Sequence, residues 1–182
     1  MLAYLYVLLA VAVRILSGTG YLSTMGFTPL EASLLYFGAR MPRKQFAIPL
    51  VLLIGCDLYV TLVKYQSHIT FDQLLIWAWY VVPCFIGVLL KDRIRPLAVA
   101  GASVSSAVSF FVVSNFGVWL AGYVGYPKTF AGLIACYTAA IPFFEKGLAS
   151  NLVFSAILFG VPAMVAATRK AMPRTADKDA VA

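Results

Sequence analysis

Apolar runs follow one another along almost the whole chain, separated by short polar or basic punctuation. The runs 46–65, 73–90, 97–121 and 148–168 each approach or exceed the roughly 17–25 residues a helix needs to cross a bilayer. Residues 2–17 fall slightly short of that length. Two further segments are less regular: 29–41, "PLEASLLYFGARM", is brief, and 129–145, "TFAGLIACYTAAIPFFE", is interrupted by Pro142, which has no backbone N–H to donate.

The pattern predicts an all-α, polytopic membrane helix bundle with six transmembrane helices and an extra helical outer segment. Residues 1–170 would form a single transmembrane domain and 171–182 a flexible polar tail. Residues 2–13 superficially match a signal peptide, but no Lys or Arg precedes them and Arg14 closes the run. They are read as part of a retained first helix.

Basic residues fall between the runs, in three clusters: Arg40, Arg43 and Lys44; Lys91, Arg93 and Arg95; and Arg169, Lys170, Arg174 and Lys178. Placing all three on the cytoplasmic side puts both termini inside, makes 29–41 a short helix running inward, and requires 122–147 to return to the outer side without crossing. A segment that folds back at membrane depth is tolerated only where protein or a water-filled cavity covers its backbone. The outer half of the bundle is therefore where a cavity is expected, with 122–147 as its lid.

Composition agrees with this class. The chain is 62% hydrophobic and 12% charged, well above the roughly 45–50% apolar share of soluble domains. The net charge of +7 serves topology rather than nucleic acid, since no basic module stands apart from the apolar runs. Three cysteines, Cys56, Cys84 and Cys136, all lie inside apolar stretches, which argues for free buried thiols.

Candidate chemistry is sparse. Thr28, Pro29 and Glu31 match a capping box at a helix start. Alternatively, Glu31 faces the outer cavity and pairs with Arg14 or binds a polar ligand. Asp57 sits mid-run, where a charge must face protein or water, and shares a helical stripe with Thr61 and Lys64. It either holds the bundle together or contacts a substrate. Trp77, Tyr80, Cys84 and Gly87 make a second stripe, near a kink expected at Pro83; it is either packing or an aromatic-walled pocket in which the Cys84 sulfur reaches a ligand.

Asn115 and Trp119 lie one turn apart near the outer end of 97–121, just before Tyr126 and Lys128 in the turn that begins the lid. Tyr137 and Glu145 follow within it. Small residues recur on two faces, Gly101, Ser105 and Ser109 on one, Ala98, Ala102 and Ser106 on the other, both permitting close helix approach. His68 stands alone in a polar loop with no metal-ligand spacing. No phosphate-binding loop, HExxH or GxSxG occurs, so an enzyme is not expected, and no cofactor is implied.

The words "FTPLEASLLYFGA", "SNFGVWL", "YPKT" and "CYTAAIPFF" together resemble a family of small bacterial membrane proteins of unknown function, over about residues 27–160. The arrangement of six helices, cytoplasmic termini and outward loops also looks like the substrate-binding S components of energy-coupling factor vitamin transporters. That resemblance implies a bacterial inner-membrane protein that binds a vitamin-like or metal-related molecule from outside, usually with a shared ATPase module. Such components commonly carry an AxxxA pair in the first helix, and "LAYLYVLLAVAVRIL" has none in register, which leaves a solitary transporter open beside a module-coupled one. Solitary cobalamin carriers of this architecture ligate cobalt through a membrane cysteine, a role for which Cys84 would be the candidate.

The expectation is thus a small-molecule uptake protein whose site draws on Glu31, Asp57, Asn115, Trp119, Tyr126, Lys128, Tyr137 and Glu145. Its partners would be the substrate, the lipid bilayer and an energy-coupling module. The competing expectation is a non-transporting scaffold or assembly subunit of a larger membrane complex. A cavity in the outer half separates the two.

Overall fold

A computed structural model describes residues 1–22, 26–92, 94–122 and 124–171, and the side chains of these up to Arg169. Arg93, Arg174, Lys178 and the side chain of Lys170 in the basic clusters, and nearly all of the expected tail, lie outside the described residues. Among the described residues every regular element is helical. The elements are α1 (Leu2–Gly18), α2 (Leu30–Arg40), α3 (Ala47–Leu58), α4 (Phe71–Trp79), α5 (Val81–Val88), α6 (Pro96–Ala121) and α7 (Phe130–Ala171). A 3₁₀ turn at Arg43–Gln45 leads into α3, and a π turn at Tyr59–Lys64 extends it.

Four stretches are long and apolar enough to cross a membrane: Arg43–Lys64, Phe71–Val88, Pro96–Ala121 and Phe130–Arg169. Shorter than these, α1 is also apolar. The 11-residue α2 is the most enclosed helix, with every residue from Leu30 to Ala39 buried except Glu31. An 11-residue helix rises only about 16 Å at 1.5 Å per residue, roughly half the hydrocarbon thickness, so it depends on its neighbours. It survives because α1, α5, α6 and α7 surround it and take the place of lipid.

Aromatic rings seal that hub. Tyr36 meets Tyr6 of α1 and Phe159 of α7 edge-on, with ring centroids 4.9 and 5.0 Å apart. Phe37 meets Tyr4 in the same way at 5.4 Å. Ser33 donates to the carbonyl of Tyr6 at 3.0 Å, a second tie to α1. Against α5 the contact is backbone to backbone: a Cβ at Gly38 would sit 1.9 Å from the Cys84 carbonyl oxygen, and one at Gly87 2.2 Å from that of Leu35. Glycine on both helices is what lets them approach so closely.

The kink expected at Pro83 occurs as a break between α4 and α5 at Tyr80. Proline removes the hydrogen bond to the residue four back, here Trp79, and its ring pushes that carbonyl aside. Pro142 behaves differently. Segments 129–145 and 148–168 are not separate; both Pro142 and Pro162 lie inside one 42-residue helix. Such a helix is about 63 Å long, twice the hydrocarbon thickness. The expected fold-back of 122–147 is therefore corrected to a loop at 124–129 that feeds straight into α7. In apolar surroundings a proline that forfeits one hydrogen bond is tolerated, because ending the helix would leave more backbone groups unpaired.

α6 starts with Pro96 at its first position after an extended Arg95, and stops at Gly122, whose φ of 79° closes the helix in the left-handed region. The α6–α7 turn is fastened from the far side: Lys128 Nζ donates to the carbonyls of Trp119 and Leu120, the latter at 2.6 Å. A cation on unpaired carbonyls at a helix C-terminus is favourable through both hydrogen bonding and the helix dipole.

Candidate functional site

Where α1, the start of α2, the α4–α5 break, α6 and α7 meet, they leave a cavity of about 400 Å³. Arg14 enters it from α1, and Thr28 and Glu31 from the start of α2. The α4–α5 break contributes Ile76, Trp79 and Tyr80; α6 contributes Phe110, Phe111, Ser114 and Asn115. α7 presents a stripe at Ala140, Phe144, Gly147 and Asn151, with Phe143 and Leu148 alongside. Three- and four-residue steps put these α7 residues on one face, which only an unbroken helix through Pro142 provides.

Two polar clusters carry the wall. In the first, Glu31 Oε2 accepts from Ser106 Oγ at 3.0 Å and from Asn151 Nδ2 at 2.9 Å. Asn151 Nδ2 also reaches the Ser103 carbonyl at 2.8 Å, and Ser155 Oγ donates to Asn151 Oδ1 at 3.4 Å. Glu31 Oε1 has no hydrogen-bond partner among the described residues. The capping-box expectation is corrected here: α2 begins after Pro29 without a side-chain cap, and the Thr28 N–H donates to Ser150 Oγ, which donates back to the Thr28 carbonyl, both at 2.9 Å. Ser150 thus captures the backbone that Glu31 would have capped, and Glu31 turns into the bundle.

In the second cluster, Asp57 is 4% exposed and its carboxylate is saturated. Oδ1 pairs with Arg14 Nε, while Oδ2 accepts from Tyr80 Oη at 2.7 Å and Trp77 Nε1 at 3.0 Å. The pairing of Glu31 with Arg14 is thereby corrected, since Arg14 pairs with Asp57. Arg14 commits its Nε and keeps both terminal nitrogens without a partner among the described residues, at the cavity wall. Asp57 stands one layer behind, fixing the orientation of Arg14 and Tyr80.

Of the residues expected to form the site, Glu31 and Asn115 are on the cavity wall, and Asp57 supports it. The Asn115 amide donates to the Phe111 carbonyl at 2.8 Å, leaving its oxygen for other partners. Trp119 and Lys128 belong instead to the α6–α7 turn, where Trp119 Nε1 donates to the Pro127 carbonyl at 3.0 Å and Lys128 Nζ lies 5.1 Å from the Trp119 ring centroid. Tyr126 is half-buried in that turn. Tyr137 ties α7 to α6 by donating to the Val112 carbonyl at 2.6 Å, and Glu145 is exposed, off the cavity-facing stripe of α7.

Cys84 is fully buried where α5 backs onto α2, its thiol against the Tyr80 carbonyl at 3.9 Å. Cys84 is not among the residues that line the cavity, and it packs where α2 and α5 approach closely. Among the described residues no group of three or more His, Cys, Asp and Glu side chains gathers as a metal site would require. Asn151 is the principal residue that sequence reasoning passed over. Its signal was present: a lone amide in the apolar run 148–168 needs hydrogen-bond partners inside the bundle.

Fold and site together define a helical bundle with stretches long and apolar enough to cross a membrane, built around a cavity that is aromatic on its walls and carries one guanidinium and one carboxyl group. The chain belongs to a family of unknown function (DUF6580), which it matches over residues 1–174. No curated protein and no solved structure matches it.

Proposed function

We propose that this protein is a small-molecule uptake protein of the bacterial inner membrane, with the cavity open to the outer side. In this reading the chain crosses six times, α1, α2, α3 with its flanking turns, α4–α5, α6 and α7 each passing once, and both termini are cytoplasmic. The alternating path supports it: Arg40, Arg43, Lys44, Lys91, Arg95 and Arg169 then all fall at the cytoplasmic ends. The architecture is similar to that of S components of energy-coupling factor transporters, and the cargo would be vitamin-sized, whether or not a shared energy-coupling module drives the transport step.

The observation that carries the proposal is the cavity itself, about 400 Å³ with Arg14 and Glu31 on its wall. Ligand pockets are typically about 300–1,000 Å³, mostly apolar, with a few placed polar groups. A scaffold subunit needs no such space, and ionisable groups at membrane depth are expensive to keep without a use.

Native mass spectrometry of the detergent-solubilised protein tests this. A copurifying small molecule is expected on the wild type and absent from Gly147→Phe, which adds a ring at the cavity wall where a Cβ meets nothing within 4 Å. Wild type and variant both bare, or both carrying the same mass, would favour the scaffold reading.

A further inference from the structure

The two charged groups on the cavity wall are not equivalent. Arg14 is compensated, since its Nε is paired with Asp57. Glu31 has hydrogen-bond donors, Ser106 and Asn151, but no Lys, Arg or His within ion-pair distance among the described residues. Around the cavity, charge therefore stands at one guanidinium against two carboxyl groups, with Asp57 and Arg14 cancelling. A half-buried carboxyl group without a cation is the unbalanced element of the site.

The surroundings suit a positive charge. Trp79, Tyr80, Phe110, Phe111, Phe143 and Phe144 line the same cavity, and the faces of aromatic rings attract cations, most strongly where water is excluded. An anion would find a single guanidinium already shared with Asp57 and would face the uncompensated Glu31.

We propose that the ligand is a monocationic amine with an apolar body, its ammonium group held by Glu31 Oε1 among the aromatic faces and a hydrogen-bond acceptor elsewhere on it received by the free edge of Arg14. This rests on the cavity being a ligand site, and it adds the charge class of the ligand. The two hydrogen bonds already on Oε2 fix the carboxyl plane, so that Oε1 is pre-oriented for a donor.

The full chain in detergent is titrated with three probes of nearly equal size: phenethylamine, a cation at neutral pH; phenethyl alcohol, uncharged; and phenylpropanoate, an anion. Ligand-induced thermal stabilisation reports the affinity of each. Phenethylamine is expected to bind at least about tenfold more tightly than the other two, and Glu31→Gln to weaken it by about ten- to a hundredfold, the worth of a charge-assisted hydrogen bond. The variant keeps an oxygen for Ser106 and Asn151, and its loss of affinity is expected to be larger for phenethylamine than for phenethyl alcohol.

The comparison among probes on the wild type needs no variant, so it decides the matter even if Glu31→Gln folds poorly. Equal or tighter binding of phenylpropanoate or phenethyl alcohol, or no binding of any probe at millimolar concentration, overturns the inference. If a copurifying molecule is nonetheless lost in Gly147→Phe, the cavity reading stands and only the charge class is wrong.

Discussion

Asp57→Ala is expected to lower the stability of the folded bundle by roughly 2–4 kcal/mol, somewhat below the roughly 3–5 kcal/mol for breaking a fully buried pair because the Arg14 side chain is 40% exposed, read as a lowered unfolding midpoint in detergent or graded denaturant. The carboxylate is the common acceptor for groups from two other segments, Arg14 of α1 and the Trp77–Tyr80 stripe of α4 and its break. Truncation leaves a guanidinium without its counter-charge and two ring donors without an acceptor, and these penalties add. Asp57→Asn keeps one acceptor oxygen but not the charge, so it falls between wild type and alanine. Thr61→Val, one turn along the same stripe, loses only the hydrogen bond from Gln73 and is expected to cost about 0.6 kcal/mol, the average for one interhelical hydrogen bond in a membrane protein. Equal effects at 57 and 61 would mean that the Arg14–Asp57 pair is not a keystone.

Gly38→Ala is the second large effect, and its cause is steric. The added Cβ would lie 1.9 Å from the Cys84 carbonyl oxygen, which is backbone and cannot rotate away. α2 and α5 must separate, and the layers of rings that seal α2 to α1 and α7 loosen with them. A loss of roughly 3 kcal/mol is expected, at the upper end for overpacking, together with weakened ligand binding, because α2 carries Glu31. Gly87→Ala, 2.2 Å from the Leu35 carbonyl, should behave alike. Gly55→Ala and Gly101→Ala are the controls: both positions face open space, and alanine there should be neutral or stabilising by up to about 1 kcal/mol through helix propensity. A uniform response at all four glycines would exclude the close α2–α5 approach as the explanation.

What was legible in the sequence followed from solvent-level physics. Apolar length located the helices, and a carboxylate in mid-run at Asp57 demanded internal partners. The kink expected at Pro83 occurs at the α4–α5 break. What was hidden depended on residues distant in the chain. Thr28, Pro29 and Glu31 satisfy a local capping rule, yet Ser150 and Asn151, some 120 positions later, offer partners that only the folded bundle brings close. Arg14 had two available carboxylates, and nothing local distinguishes Asp57 from Glu31. Pro142 read as an interruption by rules drawn from helices in water, and in an apolar bundle the helix runs on. Of the two small-residue faces on α6, Ala102 and Ser106 are buried while Gly101 and Ser105 are exposed, a choice that spacing alone does not make.

A water-accessible cavity at the outer side of the bundle, as proposed, is tested most directly by labelling a single cysteine at its wall. Ser114→Cys, in a chain whose Cys56, Cys84 and Cys136 are replaced by alanine, is treated with a membrane-impermeant maleimide in right-side-out vesicles. Ser114 lies on the wall beside Asn115, so prompt labelling from the outer side is predicted, while Gly101→Cys on the exposed face of α6 stays unlabelled in lipid. Labelling of Ser114→Cys only after the inner side is opened to the reagent, or none until the protein is unfolded, would exclude an outward-open cavity.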